Sequence, residues 1–351
     1  MNIRKIIEDI ERQKSVRYKS TLAPHKFYRV LVFVSSDETK KYRVEIFDRK
    51  KVSSNASFRY YFYHVYNNIT KMKNVKTNLY LPIDEIFTVE YIALMYVYPE
   101  KGNLMDMLTS CNKFSEEQVL LLALDIFNCI ESLYKKGLIL KYLPLTCLMV
   151  ENELLMPHVA LYCQKEGENR DYQETHTNML IGLIPKPNLI LMPPEALFGK
   201  KLSRQASYWC LGMIIYVMLT GVFPFQVRSL DELTRNYKNM HNIPLDFGDI
   251  KNFHLKKLIH ELLQIDTIDR INARDLGIHM SMFGKIYSVK QEKCREDLFE
   301  LKKFRVTKKE KSETLTRVRS ANLGIKGYNL ERCESMDSHI LDLEAPVAFK
   351  S

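Results

Sequence analysis

The chain has 351 residues, 46% of them hydrophobic and 27% charged, with a formal net charge of +10. This composition excludes an extended disordered protein and supplies the apolar material for one two-lobed domain of about 250–300 residues with tails, or for two ordinary domains. The positive charge admits acidic partners without choosing among phosphopeptides, acidic proteins, membrane surfaces and nucleic acid, and it equally suits a solvated basic surface.

The first residues carry charge throughout, with Ile3, Ile6, Ile7 and Ile10 at helical spacing, and are expected to form a charged helical lead-in without the apolar core of a signal peptide. Residues 26–34 and 42–47 read as two strands joined by a turn at Ser35-Ser36-Asp37-Glu38. A helix is expected within 56–73, strands at 79–81 and 87–98, and a break at Pro99-Glu100-Lys101-Gly102. The chain then turns helical. Ser115, Glu116 and Glu117 open a helix with Val119, Leu122, Ile126, Ile130 and Leu133 on one face.

Residues 209–225 are the most apolar stretch but contain Gly212, Gly221 and Pro224, and are short for a bilayer span, so a buried helix and no membrane crossing are expected. Two more helices follow at 255–264 and 273–282, and from 287 dense charge with recurrent Ser and Thr predicts a mobile basic tail. Seven cysteines, none at CxxC spacing, support neither a metal site nor a disulfide framework, and suit the reduced thiols of cytoplasm or nucleus.

Four motifs stand in order along the second half: Met192-Pro193-Pro194-Glu195, Ser207-Tyr208-Trp209-Cys210-Leu211-Gly212, Leu219-Thr220-Gly221-Val222-Phe223-Pro224-Phe225, and Leu262-Leu263-Gln264-Ile265-Asp266-Thr267-Ile268-Asp269-Arg270. Together they resemble the A-P-E, D-x-W-x-x-G, L-T-G-x-x-P-F and L-L-x-x-D-P-x-x-R motifs of the eukaryotic protein kinases, more the serine/threonine group than the tyrosine group, over about residues 21–286. The resemblance implies an α+β, two-lobed protein-kinase-like fold with a small β-rich N-lobe and a large helical C-lobe. Its segments would be a charged N-terminal segment 1–20, an N-lobe 21–95, a C-lobe 96–286 and a basic tail 287–351. It also implies an ion pair between Glu195 and Arg270, with Trp209 in the core.

The chemistry residues depart from the family pattern. Phosphoryl transfer rests on positioning and charge neutralisation. The Gly-rich loop is matched by Ala23-Pro24-His25-Lys26-Phe27-Tyr28, with Ala23, His25 and Tyr28 where glycine is wanted for close approach to a phosphate. Glu45 stands where V-A-I-K has its lysine, although Lys41 and Arg43 share its strand face and a two-residue slip would offer a cation. Residues 49–83 contain no acid that could serve as the helix glutamate.

In the counterpart of the catalytic loop, Leu140-Lys141-Tyr142-Leu143-Pro144-Leu145-Thr146-Cys147, Tyr142 replaces the catalytic aspartate and Cys147 the metal-binding asparagine. A phenol is a poor base at neutral pH. D-F-G falls within 154–163, where no aspartate occurs and the nearest match is His158-Val159-Ala160, or Ala160-Leu161-Tyr162 on another register, a poor set for Mg²⁺. Ser207 replaces the aspartate that opens the large-lobe helix and is expected to cap it.

Fold residues kept and chemistry residues lost imply a catalytically inactive scaffold or allosteric regulator in signalling, without ATP or Mg²⁺ as cofactor. It would bind protein partners such as an active kinase or its substrate. The alternatives are an unconventional active serine/threonine kinase, with Glu151 and Glu153 as candidate acids, or a basic tail that binds nucleic acid or an acidic surface, a less favoured reading. Residues 164–191 match the activation segment in position, and Arg317-Val318-Arg319-Ser320 resembles a basophilic-kinase site that would make Ser320 a phosphosite.

Overall fold

Asn2 starts the first helix by accepting the backbone N–H of Lys5, which satisfies one of the free donors at a helix end. The computed structural model describes residues 2–287 apart from 76, 100, 152, 153 and 249. Ser320 and Glu153 lie outside the described residues. The described residues divide into two compact units, one of residues up to Thr70 together with Leu81–Tyr98, the other of Lys71–Tyr80 and the described residues from Pro99.

In the first unit, α1 (Ile3–Lys14) leads into β1 (Val16–Thr21), β2 (Arg29–Ser35) and β3 (Lys41–Asp48), then α2 (Arg49–Ser54), α3 (Ala56–Met72), β4 (Asp84–Phe87) and β5 (Tyr91–Val97). The five strands form one antiparallel sheet in the order β1-β2-β3-β5-β4. Side chains alternate across it. One face carries Leu31, Phe33, Val44, Ile46, Ala93 and Met95, and Ile6 and Ile10 of α1 pack into that cluster. Full burial of an isoleucine contributes about 1.5–3 kcal/mol. The lead-in is therefore part of the small-lobe core and continues as an edge strand where helix alone was expected.

The opposite face carries Val30, Val32, Arg43, Glu45, Leu94 and Tyr96, with Glu45 paired in register to Val30 and Leu94, and Arg43 to Val32 and Tyr96. The expected strand at 87–98 is a hairpin that turns where the Thr88 N–H meets the Tyr91 carbonyl at 2.9 Å. Residues 79–81 are not a strand; Tyr80 donates one backbone bond, to Pro157, at 3.1 Å.

The second unit is mainly helical. It holds α4 (Leu104–Cys111), α5 (Glu116–Tyr134), β6 (Leu138–Leu140), β7 (Leu148–Glu151), β8 (Leu154–Pro157), β9 (Cys163–Lys165), α6 (Arg170–Ile181), α7 (Pro194–Leu197), α8 (Arg204–Thr220), α9 (Leu230–Asn239), α10 (Phe253–Leu262) and α11 (Ala273–Tyr287). Strands β6 and β9 pair, as do β7 and β8. Ser115 and Gln118 cap α5 reciprocally.

Helix α8 is buried from Ala206 to Leu219. Gly212 lets α10 approach, since a Cβ there would meet Leu262 Cβ at 2.7 Å. Gly221 ends α8 at φ +75°, where a side chain would also strike the Asn112 carbonyl oxygen. Ser203 is the N-cap residue of α8, and Ser207, expected there, lies inside the helix. Among the described residues no helix is long and apolar enough to cross a membrane.

Candidate functional site

The small-lobe site is built on β3. Glu45 is 2% exposed, and Arg43, two residues back on the same face, donates to it at 2.7 Å. Burial raises the Glu45 pKa, and the Arg43 charge, with hydrogen bonds from Arg43 and Tyr28, opposes that rise. The position of the family's strand lysine thus holds a buried carboxylate with its own cation and a phenol.

Ala23, His25 and Tyr28 lie on the loop between β1 and β2, where the resemblance puts the Gly-rich loop. Instead of an open backbone cradle the loop presents rings. Phe27 stacks on Tyr61 of α3 at 4.3 Å between centroids, and His25 lies 4.3 Å from Tyr28. Burial pushes the His25 pKa down to about 4, helped by the nearby Arg43 and Lys26 cations. Burial, then the Glu45 charge, pushes the Tyr28 phenol well above its usual value.

In the large lobe the catalytic-loop counterparts are packed groups. Tyr142 is 2% exposed and meets the Tyr162 ring edge-on at 5.1 Å. The Cys147 thiol donates to the Pro144 carbonyl at 3.1 Å, and burial lifts its pKa far above the usual thiol value. His158 packs its ring against Tyr80 at 5.4 Å, and its backbone N–H donates to the Cys147 carbonyl at 2.7 Å. The Ser207 hydroxyl accepts the Leu140 N–H at 2.9 Å, so this residue fixes the strand before the loop.

Lys141, read in the sequence only as part of the apolar frame, is a second centre. It is fully buried, and its ammonium donates to Gln164 Oε1 at 2.7 Å, Thr177 Oγ1 at 3.0 Å and the Gln173 carbonyl at 3.4 Å. All three acceptors are neutral, so burial drives its pKa down to about 7, with the more distant Glu168 opposing. The signal that could have found it is a lone cation inside the apolar run 138–145. The segment 164–191, matched by position to the activation segment, contains α6, with Tyr172, Thr175 and Thr177 on it.

Glu195 and Arg270 meet in the core. Arg270 donates to the two carboxylate oxygens at 2.7 and 3.0 Å and to the Gln205 carbonyl at 2.7 Å, with its guanidinium 5.1 Å from the Trp209 ring centroid. Such a two-pronged contact ties the start of α7 to the segment after α10.

The family's usual cofactor pair, ATP with Mg²⁺, sets two tests. The metal-ligand counterparts offer a buried thiol and an imidazole packed edge-on against a ring, and among the described residues no three His, Cys, Asp or Glu side chains gather as a metal site. These two counterparts do not fit Mg²⁺, which takes oxygen donors. For phosphate, the Glu45 face of β3 offers Lys41 and Arg43, and of these Arg43 is bonded to Glu45.

A family model described as protein tyrosine and serine/threonine kinase matches residues 30–280. Serine/threonine-protein kinase 33 of Bos taurus is 21% identical over 290 residues, covering 79% of this chain and 57% of that protein. The calcium and calcium/calmodulin-dependent serine/threonine-protein kinase of Lilium longiflorum is 25% identical over 238 residues, covering 66% and 43%. Serine/threonine-protein kinase Sgk1 of Rattus norvegicus is 37% identical over 84 residues, covering 24% and 19%. The chain therefore spans 57% or less of the length of these curated relatives.

These comparisons correct the expectation that the protein is not an enzyme. Each relative is named as a serine/threonine kinase, and motif positions that have lost their residues do not establish inactivity when a cation stands two residues away on the same strand face. With the match covering most of the chain, and with a five-stranded antiparallel sheet in one unit and a helical second unit carrying the Glu195–Arg270 pair, the chain belongs to the protein tyrosine and serine/threonine kinase family.

Proposed function

We propose that the chain is an unconventional serine/threonine protein kinase that meets the phosphates of its nucleotide with Arg43 and completes transfer with residues outside the family's usual set. The observation that carries this reading is the Arg43–Glu45 pair at 2.7 Å. A cation held by a carboxylate is what the family assembles from a strand lysine and a helix glutamate. Here both partners come from β3, which accommodates a helix α3 without any acid. The names of the relatives support the same reading. Glu151 and Glu153 are the acids that follow the catalytic-loop counterpart.

The test is transfer of labelled phosphate from ATP to a protein rich in serine and threonine. Wild type transfers label, while Arg43→Met and the Glu151→Ala, Glu153→Ala pair do not. Equal transfer by all of these proteins, or none by wild type, overturns the reading.

A second reading is favoured by the rings that fill the loop 22–28 and by the buried carboxyl group of Glu45 in place of a lysine. In it the chain is a scaffold or allosteric regulator that binds a protein, either an active kinase or that kinase's substrate, and ATP and Mg²⁺ do not bind. It predicts partner binding that is unaffected by Arg43→Met. A cytoplasmic or nuclear address goes with either reading.

A further inference from the structure

The loop 22–28 has no glycine, and Pro24 limits its backbone further. It is closed at its base by the Leu22 N–H on the Val30 carbonyl at 2.9 Å and at its tip by the His25 N–H on the Tyr28 carbonyl at 3.0 Å. Its rings reach two other elements, α3 and β3. Phe27, 4% exposed, stacks on Tyr61 and meets Phe58 edge-on at 5.1 Å, both on α3. Tyr28 lies 5.2 Å from Phe47 of β3, and its hydroxyl bonds to Glu45. His25 sits 5.5 Å from Tyr61.

Ordering a loop costs conformational entropy, and here aromatic burial offsets that cost in one closed arrangement. The consequence falls on Arg43. Its acceptor Glu45 is engaged by Tyr28, so while Tyr28 stays docked the guanidinium has a fixed carboxylate partner inside the lobe. An incoming phosphate competes with that carboxylate for the same donors.

We infer that residues 22–28 form a latch, closed by Tyr28 on Glu45 and by Phe27 on Tyr61, that keeps Arg43 engaged with Glu45 and away from a nucleoside triphosphate until the latch opens. The inference rests on the reading of Arg43 as the relocated phosphate-binding cation. Opening is a two-state step, so the affinity for the triphosphate is set by the fraction of open latch.

The test compares the wild-type chain with Tyr28→Phe, which keeps the ring and removes the hydroxyl. Hydrogen exchange at the Leu22 and His25 amides reports the latch without any ligand, and exchange across α8 reports that the variant is folded. Losing a hydrogen bond to a buried carboxylate speeds exchange at both amides by about tenfold. By the same fraction, ATP with magnesium chloride binds the variant about tenfold more tightly.

Exchange that is the same in both proteins overturns the latch. Faster exchange with equal, measurable ATP affinity overturns its hold on Arg43. Faster exchange with no ATP binding by either protein supports the latch as a lock on the loop and overturns the relocated-cation kinase.

Discussion

Arg270 reaches 75 positions back along the chain to hold both carboxylate oxygens of Glu195, and its guanidinium lies against Trp209. Both charged side chains are almost completely buried. Removing one partner strands the other in a medium that solvates it poorly. Glu195→Ala is therefore expected to cost about 3–5 kcal/mol, read as a lower urea midpoint. The double variant Glu195→Ala, Arg270→Met recovers part of that loss, because no charge is left behind.

Lys141 gives stability a dependence on pH with a definite sign. Its folded pKa, about 7, lies below the ordinary lysine value of 10.5, so the folded state prefers the neutral amine. Between those values the unfolded chain binds the extra proton, and this group's contribution to stability rises with pH. Lys141→Met removes that contribution. In thermal melts the variant gains most on wild type below pH 7, and its advantage shrinks as pH rises toward 10.

His25 acts at the acid end. Its pKa, about 4, lies below the ordinary 6.5, so the closed loop holds the neutral ring and loses stability as pH falls from 6.5 to 4. Protonation adds a cation beside Arg43 and Lys26. Exchange at the Leu22 and His25 amides should accelerate over that range in wild type, and the His25→Phe variant should show a flat profile.

Ile10 is fully buried in the cluster under the small-lobe sheet. Ile10→Ala is expected to cost about 2–5 kcal/mol, from lost burial and the cavity left behind. The expected mark is faster exchange in β2, β3 and β5, with α8 unchanged.

Much of the large lobe is legible because its motifs are local. Ser115 and the stripe from Val119 to Leu133 announce α5, and the four spaced motifs bring Glu195 and Arg270 to notice together. What stays hidden has a physical reason in each case. β1 is an edge strand exposed at Arg17, Tyr18 and Lys19, so it shows no alternation. α6 buries Gln173, His176 and Thr177 as well as Leu180, a mostly polar face that hydropathy periodicity does not detect.

The period-two spacing of Lys41, Arg43 and Glu45 reveals their common side. It does not reveal that Glu45 claims Arg43, because Tyr28, which also engages that carboxylate, comes from a distant stretch of chain. Lys141 is hidden for the same reason: its acceptors lie on β9 and α6.

The most direct measurement is a thermal-shift titration of wild type and Arg43→Met with ATP in the presence of Mg²⁺ or Mn²⁺. A ligand that binds only the folded state raises the midpoint by mass action. If Arg43 is the phosphate-binding cation, the wild-type midpoint rises with ATP and the Arg43→Met midpoint does not. A wild-type midpoint that stays fixed at millimolar ATP contradicts the kinase reading and leaves protein binding as the function of this domain.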